Sequence, residues 1–196
     1  MMKNLIVVII TVVFLNSCKN DKNSNSKEEH GRHDTTIEKT QTPKKKVLSP
    51  HTSAMTMVGD AHVHIDYSSP GVRKRVVFGG LLAYNEVWQA GAHMATWLET
   101  NKDLLIDGKT LPAGKYGFFV IPSKDEWTVI FNSNWDQHGK DEYDSKDDIL
   151  RFKVSPVISD EVTEHLVYKV LRKGENNGEI SMSWEKISIQ FPFNVE

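Results

Sequence analysis

An all-β fold, an antiparallel β-sandwich of jelly-roll-like character, is what the sequence predicts for residues 47–196. Three observations carry this expectation. Short β-type runs recur, about ten in all, each bounded by turn residues. No apolar period of 3.6 residues persists for three turns anywhere in the region. Strands do not alternate with helices, which sets aside doubly wound and helix-ringed barrel architectures. A segment of this length buries a sufficient core of its own.

The expected strands follow in order. Residues 61–67 alternate apolar and polar side chains, so one face is buried and the other is not. Residues 75–78, 94–99 and 104–106 are shorter runs, and Asp107-Gly108 after the last marks a two-residue hairpin turn. Pro112-Ala113-Gly114 turns the chain into 117–121, followed by 127–131, 150–154 and 164–171. Asn176-Asn177-Gly178 marks another turn before 180–184 and 187–191. Trp88, Trp97, Trp127, Trp135 and Trp184, with seven of the eight phenylalanines, are the expected large core residues.

The amino-terminal region reads differently. Lys3 precedes an apolar run over 5–15, interrupted only by Thr11 and too short for the roughly 20 residues of a spanning helix. Residues 1–17 therefore read as a signal peptide. The run ends in Leu15-Asn16-Ser17-Cys18, which resembles the bacterial lipobox, with Cys18 as the lipidated residue and Asn16 as an imperfect small one. A triacylated cysteine meets the requirement of stable anchoring for more than one chain. The expected location is the bacterial cell envelope, with the membrane as partner through the lipid. Cys18 is the only cysteine, so no disulfide staples the domain.

Residues 19–46 contain one large apolar residue, Ile37, and cannot offset the entropy of ordering. They read as a tether whose 28 residues span roughly 30 Å as a coil. Beyond it, residues 47–196 hold 15 Lys and Arg against 21 Asp and Glu. A net charge of about −6 weighs against a nucleic-acid surface.

A series of short motifs resembles one known family. Ser49-Pro50, Asp66-Tyr67-Ser68-x-Pro70, Phe78-Gly79-Gly80-Leu81 and Val87-Trp88-x-x-Gly91-Ala92 come first. Asp107-Gly108-Lys109-x-Leu111-Pro112-Ala113-Gly114-x-Tyr116, Trp127 to Asn132, Tyr143-Asp144-x-x-x-Asp147-x-x-x-Arg151 and a closing Trp184-Glu185-Lys186 complete it. The run is similar to the bacterial family known only as domain of unknown function 2911. The resemblance implies a secreted or lipid-anchored β domain and assigns no reaction. Ser69, Gln89, Ala90, His93, Met94 and His138 depart from the usual family pattern, and if these motifs line one pocket, it has exchanged Arg/Glu character for imidazole.

The residues with most chemistry are the histidines. His62, His64 and Asp66 fall on one face of a strand over 61–67. With His93 or His138 from loops they would form a divalent metal site for Zn or Cu, and Met55, Met57 or Met94 nearby would tilt it toward copper. His51 is a further candidate ligand. Glu86 or Asp66 would serve as base for a metal-bound water in a metal-dependent hydrolase. The other reading is a metal-free module binding a carbohydrate or other envelope ligand, with the histidines as surface residues. The cluster Arg73-Lys74-Arg75 reads as a solvated loop able to meet an anionic ligand. No Gly-x-Ser-x-Gly elbow or phosphate loop is present, and no carboxylate pair is singled out by spacing.

Overall fold

The computed structural model describes residues 47–196. The expected signal peptide, the expected lipidation site Cys18 and the expected tether lie outside the described residues. Ten strands form two antiparallel sheets that enclose one main apolar core. The strands are β1 (His51–Val58), β2 (Ala61–Ser68), β3 (Trp97–Thr100), β4 (Leu104–Ile106) and β5 (Lys109–Leu111), followed by β6 (Gly114–Ile121), β7 (Trp127–Asn132), β8 (Asp148–Val154), β9 (Val157–Arg172) and β10 (Asn177–Val195). The first sheet runs β1-β2-β3-β6-β7-β8 and the second β5-β4-β10-β9. Most neighbours in space are neighbours in sequence, so hairpins build the fold.

Alternation explains the layers. On β2, Val63, Ile65 and Tyr67 point into the core while His62, His64 and Asp66 stay half-exposed on the outer face. Phe118, Phe131 and Phe152 of the first sheet meet Phe191 of the second at ring separations of 6.3, 6.3 and 4.9 Å. All seven described phenylalanines are buried, as are Trp88, Trp127 and Trp184. Trp97 and Trp135 correct the expectation for core residues, because both are only half-buried and lie off the main core.

Three differences from the expected strands have local causes. Residues 75–78 form turns, with only an isolated bridge from Phe78 to Leu82, because Leu82 donates its N–H back to Val77 at 2.8 Å. β1 was not expected, since Ser53, Met55 and Met57 leave its outer face without an alternating apolar signal. Its backbone nevertheless pairs with β2 along its whole length, from His51 opposite Ser68 to Val58 opposite Ala61. The runs 180–184 and 187–191 join into one long strand that bends at bulges around Glu185, whose φ is 57°. The expected hairpin at Asp107-Gly108 is present, both residues having positive φ (50° and 70°), as the tight turn requires.

Tyr168 ties the sheets to the loop that follows β2. Its hydroxyl donates to the Ala90 carbonyl at 2.7 Å, and its backbone N–H donates to the Tyr67 hydroxyl at 3.2 Å. Burial holds the Tyr168 phenol well above its usual ionisation range. Burial also raises Tyr116 and Tyr143. A folded-state value above the unfolded one contributes stability below the unfolded pKa and loses it as pH rises. The unfolding free energy is therefore expected to fall above about pH 10, by about 1.4 kcal/mol per pH unit for Tyr168 alone. Urea titrations of wild type and Tyr168→Phe between pH 8 and 11 check this, and an equally steep alkaline loss in the variant would contradict it.

Candidate functional site

The crossing from β2 to β3 builds a cavity against the second sheet. It is zipped to β9 at its start, where Val72 donates to the Glu164 carbonyl at 2.7 Å and Leu166 donates to the Pro70 carbonyl at 3.0 Å. Near its end it pairs with β6, Trp88 and Val120 exchanging both backbone hydrogen bonds at 2.8 and 2.9 Å. Between these clamps the backbone is strained. Arg73, Lys74, Asn85, Ala90 and His93 all have positive φ, between 49° and 64°, and none is glycine. Such positions persist where the surroundings over-determine them. At Ala90 that role falls to its carbonyl, which accepts from both Tyr168 and the Thr96 hydroxyl.

The cavity is open to solvent and has a volume of about 280 Å³. Residues from motifs far apart in sequence converge on it: Ser49, Pro70, Leu81, Trp88, Gly91 and Trp184. Trp88 and Trp184 stack with ring centres 5.6 Å apart and planes 26° from parallel. The Trp88 indole N–H donates to the Gly91 carbonyl at 3.0 Å. The Trp184 indole N–H has no partner, although the residue is only 1% exposed. A buried donor left unpaired costs about 1–3 kcal/mol, so it marks where an acceptor belongs.

Around Trp184 the cavity is lined by Arg73, Arg75, Gln89 and His93. Arg75 is held by its own turn, Nε donating to the Val72 carbonyl at 3.1 Å and Nη2 to the Gly71 carbonyl at 2.7 Å. Neither arginine forms an ion pair among the described residues. Glu164 stands nearby, and its carboxylate accepts the backbone N–H of Arg73 at 2.9 Å. Two guanidinium groups give the cavity the chemistry of an anion receptor. Sequence reasoning recognised the basic cluster as a loop but placed Trp184 in the core with no further role. The indole's lack of an acceptor has no sequence signal, because it depends on what the opposite sheet fails to offer.

A second cavity, of about 160 Å³, opens on the outer face of the first sheet. His51 and Asp66 line it and are joined at 2.7 Å, so two residues expected as metal ligand and base are each other's partners. Trp97 and Trp135 form its aromatic wall, and the Lys115 ammonium lies 3.5 and 3.6 Å from their ring centres. One face of each indole is thus taken by the chain's own cation. The loop carrying Trp135 is pinned by Gln137, whose amide donates to the Asn134 carbonyl at 2.7 Å and accepts from Glu142 at 3.0 Å.

The four histidines expected to share a metal divide into two settings. His62 and His64 are together on β2, ring centres 5.9 Å apart. His93 and His138 are exposed loop residues; His138 pairs with Asp141 at 3.2 Å, and the His93 carbonyl accepts from Gly139 at 2.8 Å. No group of three or more His, Cys, Asp or Glu able to hold a metal ion occurs among the described residues. Glu86, the alternative base, is exposed and faces Lys140 at 3.7 Å.

Residues 49–193 match the family model described as "Protein of unknown function (DUF2911)". No curated protein and no solved structure matches the chain.

Proposed function

Because the chain belongs to the DUF2911 family, whose description assigns no activity, we propose from its cavity that it is a binding protein for a small anionic ligand carrying a carboxylate or phosphate. The observation that carries this reading is that Arg73 and Arg75, neither in an ion pair among the described residues, line one cavity with Trp88 and Trp184. An oxygen anion is attracted by both guanidinium groups, each charge-assisted bond contributing about 1.5–3 kcal/mol. The stacked indoles offer an apolar wall for the rest of the ligand. In this reading Cys18 bears a lipid that anchors the protein at the envelope membrane.

The test follows the indole resonances of the full chain during titration with glucuronate and glucose 6-phosphate, with glucose as neutral control. The Trp184 N–H signal is expected to move with at least one of the acidic sugars and not with glucose. Arg73→Ala and Arg75→Ala should each weaken binding by roughly 10-fold or more. A Trp184 signal that ignores both anions, or responds equally to glucose, overturns the reading.

A further inference from the structure

The outer face of the β1–β2 hairpin carries an arrangement independent of the anion cavity. Register places Met57 directly opposite His62 and Met55 directly opposite His64. Side chains opposed in this way have Cβ atoms about 4.5–5.5 Å apart, and successive residues on one face follow at roughly 7 Å. Two thioethers and two imidazoles therefore occupy the corners of one small rectangle. Three features distinguish it from an ordinary solvated face. Met55 and Met57 are 54% and 50% exposed, so neither side chain is committed to the core. The His62 and His64 rings tilt at 47° with centres 5.9 Å apart. The His64 Nε2 is enclosed and has no hydrogen-bond partner. A histidine nitrogen without a partner is a donor or acceptor still to be satisfied, or a ligand.

The donor types select the cation. Thioether sulfur is soft and neutral, and neutral imidazole is borderline; such a set suits Cu(I) and offers little to Ca²⁺ or Mg²⁺. Glu99 is in register with His64 on one side and with Lys115 of β6 on the other. The Trp97 ring stands edge-on to His64 at 5.0 Å and limits access from that side. We infer that Met55, Met57, His62 and His64 form a binding site for a soft monovalent ion, Cu(I), on the outer face of the hairpin. His93 and His138 are not part of it.

The experiment uses the full chain carrying Cys18→Ser, so that its only thiol does not compete. Cu(I) is titrated under anaerobic, reducing conditions against bicinchoninate, and Ag(I) serves as a redox-silent probe in methionine-methyl spectra. One equivalent is expected, with Met55 and Met57 methyl signals shifting together in the otherwise unsubstituted chain. Met55→Leu with Met57→Leu should weaken Cu(I) binding by roughly 100-fold, and His62→Asn with His64→Asn by a similar factor. His93→Ala with His138→Ala should leave it unchanged. Unmoved methyl signals, undiminished binding in the leucine variant, dependence on His93 or His138, or Zn²⁺ held as tightly as Cu(I) would each overturn the assignment. The methyl spectra need no substitution within the hairpin and so decide the matter even if a variant folds poorly.

Discussion

Trp127→Ala is expected to lower the unfolding free energy by about 3–5 kcal/mol. The indole is fully buried, its ring lies 4.7 Å from that of Phe78, and its N–H donates to the Ser123 carbonyl at 2.8 Å. Truncation removes an aromatic that buries on the order of 150–250 Å² and leaves a void that the flanking strands close only in part. It also deprives the Ser123 carbonyl of its donor in the turn between β6 and β7. A domain's stability is about 5–15 kcal/mol, so the loss is a large share of it. In urea unfolding the midpoint should fall while the slope stays constant. A loss under 1 kcal/mol would mean that the ring is not packed as described.

The second large effect is expected at Gly178. This residue is the second of β10, opposite Arg172, and a Cβ at its position would overlap the ring of Phe193 from the far end of the same bent strand. Phe193 is buried, so it cannot swing into solvent. Gly178→Val is expected to cost about 3 kcal/mol, the upper end of the usual overpacking penalty. Because the cause is one contact, Phe193→Ala should absorb much of the penalty, and the double mutant should be less destabilised than the two single changes added. A double-mutant cycle reads this coupling directly, and additive losses would locate the strain elsewhere.

Much of the architecture was legible in the amino acids because period-2 alternation and turn chemistry act over a few residues. The buried and half-exposed faces of β2, the Asp107-Gly108 hairpin and the absence of helices follow from such local patterns. β1 escaped because it is held by backbone hydrogen bonds to β2, which no side-chain pattern announces. The separation of Trp97 and Trp135 from the other tryptophans escaped for a related reason. Size and hydrophobicity favour burial, but which face of a strand meets the second sheet depends on register and stacking.

The candidate sites divide along the same line. His62 and His64 could be placed on one face from their spacing alone, yet their thioether neighbours required the β1–β2 pairing. His93 and His138 lie on loops held by long-range hydrogen bonds, such as the one from Gly139 to the His93 carbonyl, and such positions do not follow from spacing. The primary structure by itself determined an all-β domain, the alternation that aims side chains inward or outward, and the residue types available for chemistry. Only the tertiary structure decided that Arg73, Arg75 and Trp184 share a cavity and that one indole there lacks an acceptor. Strand alternation is a property of neighbouring residues, whereas an unsatisfied donor exists only once two sheets have closed over it and excluded water.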